Sequence, residues 1–237
     1  MSGFIDLHCH WLYGLDDGAS SPEAGRDILN GLRDLGFSHV IATPHMRPGL
    51  FDNSRADILA AFEAQCAATS DLTLSVSAEH YFDDVVYQRL QNGQGVPYPG
   101  QRAALLEFYA MDLPPRLDRL FAQLRRNGMT PVIAHPERYQ TIWKHPETLE
   151  RMLDAGAVAL LDAAALTGKY GRTPRRVARQ LLEQGLYAAA CSDAHRPKDI
   201  AELRAAMDWI SKEYGQEELE QLFRSGPLRI LEGTTQP

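Results

Sequence analysis

Residues 186–195 read Leu-Tyr-Ala-Ala-Ala-Cys-Ser-Asp-Ala-His, an apolar run that breaks off into Asp193 and His195. Residues 4–10, Phe-Ile-Asp-Leu-His-Cys-His, repeat the pattern at the other end of the chain and finish in His8 and His10. Short apolar, β-branched runs of this kind predict strands at Phe4–His8, His39–Thr43, Thr73–Ala78, Ala103–Phe108, Thr130–His135, Ala157–Leu161 and Leu186–Ser192. Amphipathic segments predict helices at Pro22–Leu35, Arg55–Thr69, Asp83–Asn92, Pro115–Asn127, Pro146–Ala155, Pro174–Gln184 and Asp199–Glu213. In the first, Ile28, Leu29, Leu32 and Leu35 share one face, Ser20 and Glu23 suit a capping box, and Gly36 stops the helix. In the last, Ile200, Leu203, Met207 and Ile210 recur at helical spacing.

Strand followed by helix, seven times, implies a parallel sheet with crossover helices. The expected fold is α/β, a closed seven-unit barrel, with an open doubly wound sheet as the alternative. The chain shows no linker or internal repeat, so residues 1–237 are expected to form a single domain, with Gly93–Gly100 as a loop.

The chain has 24 basic and 31 acidic side chains, a net charge of -7. That balance disfavours a general nucleic-acid or anionic-membrane binder. No apolar run approaches the roughly 18 residues of a membrane span, and the start lacks a signal-peptide pattern. Cys9, Cys66 and Cys191 form no Cys-x-x-Cys pair, so reduced thiols and a cytoplasmic location are expected.

Six predicted strands end in residues able to hold a metal: His8 and His10, His45, Glu79, Glu107, His135, and Asp193 with His195. Alternation along a strand points His8 and His10 one way and Cys9 the other. In parallel α/β folds these ends face one crevice, so five histidines and three carboxylates are aimed at one place. Burying so many polar groups is costly without a counter-ion. Nitrogen and oxygen donors without thiolates suit Zn, Mn or Fe in an open, catalytic site. The set is too large for one tetrahedral ion and implies two or three divalent ions. Such ions leave the pocket net positive and suited to a phosphate dianion. The expected reaction is metal-assisted phosphoester hydrolysis, with a metal-bound hydroxide attacking phosphorus in line.

The ordered series resembles the polymerase-and-histidinol-phosphatase (PHP) superfamily. Within it, the segment from Phe4 to Gly18 is similar to the bacterial manganese-dependent tyrosine-protein phosphatases of capsule and exopolysaccharide operons. Ala42-Thr-Pro-His45, Ala104-Leu-Leu-Glu-Phe108, Pro131-Val-Ile-Ala-His-Pro-Glu-Arg138 and Ser192-Asp-Ala-His195 continue the match, from about residue 4 to 232. The resemblance implies a distorted seven-stranded TIM-like barrel around a trinuclear site, loaded first with manganese and alternatively with iron or zinc. It implies His8, His10, Asp17, His45, Glu79, Glu107, His135, Asp193 and His195 as metal ligands, and Arg138 and Arg196 as catalytic arginines on the substrate phosphate. Asp17 enters the set through this resemblance; Asp16 beside it reads as a turn residue before Gly18. The implied partner is a phosphotyrosine-containing protein, a bacterial tyrosine autokinase of capsule or exopolysaccharide synthesis.

Departures from the family pattern are His80, after Glu79, and residues 159–166, where Asp162 stands in a stretch that carries Asn and Ser in relatives. Arg47 reads as a solvated loop arginine near the pocket mouth, and His39, His80 and His145 as bystanders. A thiol phosphatase needs Arg six positions after Cys, where this chain has Leu15, Leu72 and Pro197, so that mechanism is excluded. The alternatives are a PHP phosphoesterase for a small ester such as histidinol phosphate, and a weakly active metal-binding regulatory module.

Overall fold

Among the described residues, 3–66 and 71–235, the computed structural model has nine strands, and every pairing between them is parallel. One sheet holds β1 (Phe4–Cys9), β2 (Phe37–Ala42) and β4 (Thr73–Val76), in the order β1-β2-β4. The other holds β3 (His45–Met46), β5 (Glu79–Tyr81), β6 (Ala103–Glu107), β7 (Thr130–Ala134), β8 (Val158–Asp162) and β9 (Tyr187–Cys191), in chain order.

The number exceeds the seven expected because short strands follow β2 and β4 after breaks of two residues. Pro44 in the first break has no N–H for a ladder bond. The chain nevertheless runs on across the breaks: Ser77 N–H donates to Ala42 O at 2.8 Å and Glu79 N–H to Pro44 O at 3.1 Å. Beyond the end of β9, Asp193 N–H donates to His8 O and His10 N–H to Ala194 O, both at 2.9 Å, bridging Cys9 and Ala194.

Both faces of the strands are buried. Ile5, Leu7, Ile41, Leu105, Val132, Leu160 and Ala189 form an inner cluster, to which Tyr98 and Ile230 also belong. Tyr98 donates its hydroxyl to Leu7 O at 2.9 Å. Val40, Leu106, Ile133, Leu161 and Ala190 belong to the larger cluster shared with the helices.

The helices are α1 (Pro22–Asp34), α2 (Arg55–Cys66), α3 (Asp84–Gln91), α4 (Leu117–Arg126), α5 (Gln140–Lys144), α6 (Glu147–Asp154), α7 (Arg172–Glu183), α8 (Asp199–Tyr214), α9 (Gln216–Glu220) and α10 (Gly226–Glu232). The expected end of α2, residues 67–69, lies outside the described residues. The cap of α1 is Ser21, whose Oγ accepts from Ala24 N at 3.2 Å, and not Ser20: Pro22 occupies the first helical position and sets the frame one residue later. Residues 216–232, unassigned from sequence, are helical and bring Ile230 to the inner cluster. No described helix is long and apolar enough to cross a membrane.

Candidate metal centre

β1 carries the first two donors. Its register slips between Asp6 and Cys9, and with it the facing: Leu7 joins the inner cluster while Cys9 joins the outer one. The irregularity re-aims His8 and His10, whose Nε2 atoms lie 3.0 Å apart. Asp6, fully buried, fixes this kink by accepting from His8 N at 3.3 Å, from Ser192 N at 3.0 Å and from the Ser192 hydroxyl.

Glu79, at the start of β5, is the hub. Its Oε2 lies 3.2 Å from His8 Nε2, 3.3 Å from His10 Nε2 and 3.1 Å from His45 Nδ1, and its Oε1 lies 2.9 Å from His135 Nε2. Asp193 Oδ1 lies 3.2 Å from His8 Nε2, 3.4 Å from His10 Nε2 and 3.6 Å from His195 Nδ1. Glu107, at the end of β6, stands 3.7 Å from His45 Nδ1. Asp17 faces the outer side, 3.5 Å from His45 Nε2 and 3.7 Å from His195 Nε2, with its side chain 61% exposed.

The structure thus brings all nine expected donors together. His135 and Asp193 follow their strands in left-handed backbone, with φ of 35° and 44°. Non-glycine residues adopt this region at a cost and concentrate at functional sites. The proximity of Asp193 and His195 therefore comes from a turn, not from the strand alternation expected of them.

Arg138, in a 3-10 turn after β7, donates from Nη2 to Asp193 Oδ2 at 2.6 Å. Arg196 is exposed, and its backbone N–H caps onto Asp199; its side chain makes no hydrogen bond or ion pair among the described residues. Arg47 packs over the Tyr81 ring at 4.0 Å. His80 faces away from the cluster: its Nδ1 pairs with Leu105 O at 2.9 Å and its Nε2 accepts from Val96 N at 3.1 Å. His39 bonds Ser75, and exposed His145 pairs with Glu147. Asp162, buried, caps a 3-10 turn through Ala164 N at 3.0 Å and adds no donor to the cluster.

Two supports escaped the sequence reading. Asp16 is no mere turn residue: its Oδ2 lies 2.8 Å from His10 Nδ1 and accepts from His45 N at 2.9 Å, and its Oδ1 accepts from Gly18 N at 2.9 Å. Gly18 is required by close approach, since a Cβ there would lie 2.4 Å from His10 O. Glu137, buried, accepts from Asp162 N at 3.1 Å and Tyr187 Oη at 3.0 Å, which pins the His-Pro-Glu-Arg turn. The pairing of these acids with distant strands leaves no local pattern; only their place beside donor motifs marks them.

Charge balance bears on whether a cation fits. Burial opposes charge on Glu79, but His8 and His45 outweigh it and hold the carboxyl well below its usual range. Burial opposes the His10 cation, yet Asp16 raises its pKa well above the ordinary value. Burial, then Glu79, push Glu107 up to about 8, a cost that a cation between the two would remove. Buried His45 Nδ1, Glu107 Oε2 and Asp193 Oδ1 have no hydrogen-bond partner among the described residues. Four overlapping donor trios, His10–His45–His195, His8–His135–Asp193, His8–His10–Glu79 and His45–Glu79–Glu107, each hold their ligand atoms within 4.8 Å. Donors about 2.1 Å from one ion sit roughly 3–4 Å apart, as do the contacts of 3.1–3.4 Å that Glu79 Oε2 and Asp193 Oδ1 make with His8, His10 and His45, so the residues fit divalent metals.

A parallel α/β fold with a histidine–carboxylate cluster at its strand ends defines a metal-binding protein of the hydrolase kind. The chain belongs to the CpsB/CapC family of capsular polysaccharide synthesis, whose model matches residues 4–232. It is 30% identical over 218 residues to tyrosine-protein phosphatase YwqE of Bacillus subtilis, covering 90% of this chain and 86% of that one. It is 26% identical over 240 residues to tyrosine-protein phosphatase CpsB of Streptococcus pneumoniae, covering 96% and 98%. A crystal structure described as YwqE from Bacillus subtilis and CpsB from Streptococcus pneumoniae, metal-dependent tyrosine phosphatases, superposes with a TM-score of 0.88 at 28% identity, covering 98% and 95%.

Proposed function

We propose that this chain is a metal-dependent protein-tyrosine phosphatase that hydrolyses phosphotyrosine on a protein partner. The observation that carries the reading is the convergence of five histidines and four carboxylates, each within 4 Å of another, around buried Glu79. We read the two sheets as one distorted seven-stranded barrel and a single domain, with β2–β3 and β4–β5 as two interrupted strands and the Cys9–Ala194 bridge as the closure.

The nine donors would hold two or three divalent ions, manganese first. Bound there, the ions supply Lewis acidity that activates water and neutralises phosphoryl oxygens. The residues supply the rest. Asp16 holds the His10 ring so that Nε2 faces the centre. Arg138 presents a planar guanidinium beside Asp193, suited to two oxygens of a phosphoryl group. Arg196, on the exposed loop after β9 beside His195, would add a second cation to a bound phosphate. A phenolate leaving group departs with less protonation than an alkoxide, so no dedicated acid is needed.

Exposed Asp17 and partly exposed His195 open the cluster to the surface, which suits a phosphotyrosine on a protein loop over a small alkyl phosphate. The partner we assign is a bacterial tyrosine autokinase of capsule or exopolysaccharide synthesis, met in the cytoplasm. The test is turnover of a phosphotyrosyl peptide against histidinol phosphate by the manganese-loaded protein. The expected outcome is hydrolysis of the peptide, lost on chelation and restored by manganese; preference for histidinol phosphate, or activity that survives complete chelation, overturns the reading.

A further inference from the structure

Arg138 is held from two sides. Its Nη2 donates to Asp193, and its guanidinium carbon lies 4.6 Å from the centre of the Tyr170 ring. Its Nε is buried without a hydrogen-bond partner among the described residues, so part of the five-donor fork is uncommitted. Tyr170 follows the 3-10 turn after β8 and is bracketed by Gly168 and Gly171, both at positive φ (104° and 97°), which fold the segment back toward the site. Its ring is half-buried and packed against the outer core, a stiff platform.

Lys169 also approaches this ring, at 5.5 Å, but its charge is taken by Asp199 at 3.4 Å and Glu202 at 3.7 Å. Asp193, the other hold on Arg138, is itself one of the metal donors and shares its charge with them. Tyr170 is outside the donor set, and its hydroxyl, at the far end from the ring face, pairs with buried Asp162. Burial, followed by Asp162 and Asp193, pushes its hydroxyl pKa far up.

We propose that Tyr170 is a positioning residue whose ring sets the plane of the Arg138 guanidinium, so that its uncommitted edge meets the substrate phosphoryl group. The inference rests on the reading of Arg138 as a phosphate-binding residue.

The test is titration of the manganese-loaded protein with inorganic phosphate, by calorimetry, beside steady-state kinetics on a phosphotyrosyl peptide. Tyr170→Met fills the volume without a π face and is expected to weaken phosphate binding about tenfold, whereas Tyr170→Phe stays within about twofold. In an Arg138→Ala background, Tyr170→Met is expected to have no further effect. An undiminished loss in that background, a tenfold loss in Tyr170→Phe, or wild-type affinity in Tyr170→Met overturns the proposal. If the Met variant does not fold, as checked by circular dichroism, the Phe variant alone decides on the same threshold. A wild type that binds phosphate through Tyr170 and Arg138 yet leaves the peptide intact refutes the phosphatase reading and not this one. Peptide turnover with phosphate affinity blind to Tyr170 refutes this one alone.

Discussion

At the scale of single residues, the centre depends on side chains that touch no substrate. Asp16 gathers three N–H donors from His10, His45 and Gly18, and its carboxyl is lowered to about 2 because His10, against the cost of burial, favours its charged form. An amide has one acceptor oxygen and must turn its NH2 toward one of these donors. Asp16→Asn is therefore expected to fold normally and to lower metal affinity roughly 10–100-fold, the usual cost of losing such a partner. Metal content by mass spectrometry after dialysis, alongside circular dichroism, reads both; unchanged metal affinity would remove Asp16 from this role. Eight of the nine donors were legible in the sequence, because a histidine or carboxylate closing an apolar run is conspicuous; Asp17 closes none and came only with the family resemblance. Asp16 and Glu137 were not, since each owes its role to a tertiary partner: His45 N–H, 29 positions on from Asp16, and Asp162 N–H, 25 positions on from Glu137.

Among the elements, His80 ties β5 to β6 and to the loop before Tyr98. Both ring nitrogens are satisfied only in the neutral form, with Nδ1–H donating to Leu105 O and Nε2 accepting from Val96 N–H. Burial lowers its pKa from 6.5 to about 4. As pH falls below 6.5 the unfolded chain takes up a proton that the folded chain refuses until about 4, so this residue removes stability across that window. His80→Gln, which can still donate and accept, is expected to flatten that part of the curve. Urea midpoints measured from pH 7 to 4 check it; identical slopes in both proteins would contradict the assignment. The element pattern itself was readable as strand then helix, but its edges were not. Beyond Pro44, with the predicted strand ending at Thr43, a further short strand β3 begins, Ser21 displaces Ser20 as the cap of α1, and α9–α10 lack the long periodicity that marks the earlier helices. The slip in β1 between Asp6 and Cys9 is also invisible in a sequence that alternates regularly.

For the whole molecule, the burial of Glu107 beside Glu79, which pushes its carboxyl up to about 8, is a standing cost that cations relieve. Glu79, Glu107 and Asp193 lie within reach of one another's histidine partners, and two of the three have almost no exposure. Ligands that bind only the folded state stabilise it by about 2.7 kcal/mol at 100 times Kd. For a chain of this length that corresponds to a rise in Tm of roughly 5–10 °C. Scanning calorimetry of the chelator-treated and manganese-loaded protein measures it; equal melting temperatures would argue against metal binding at this cluster.

The bridge between Cys9 and Ala194 joins the first described strand to the segment after the last described one. A ribosome therefore delivers His8, His10 and Asp17 long before Asp193 and His195. A nascent chain cannot assemble the full donor set until residue 195 has cleared the exit tunnel. Completion of the donor set becomes a late event in biogenesis, and chains that stall or are clipped before that point carry only part of it.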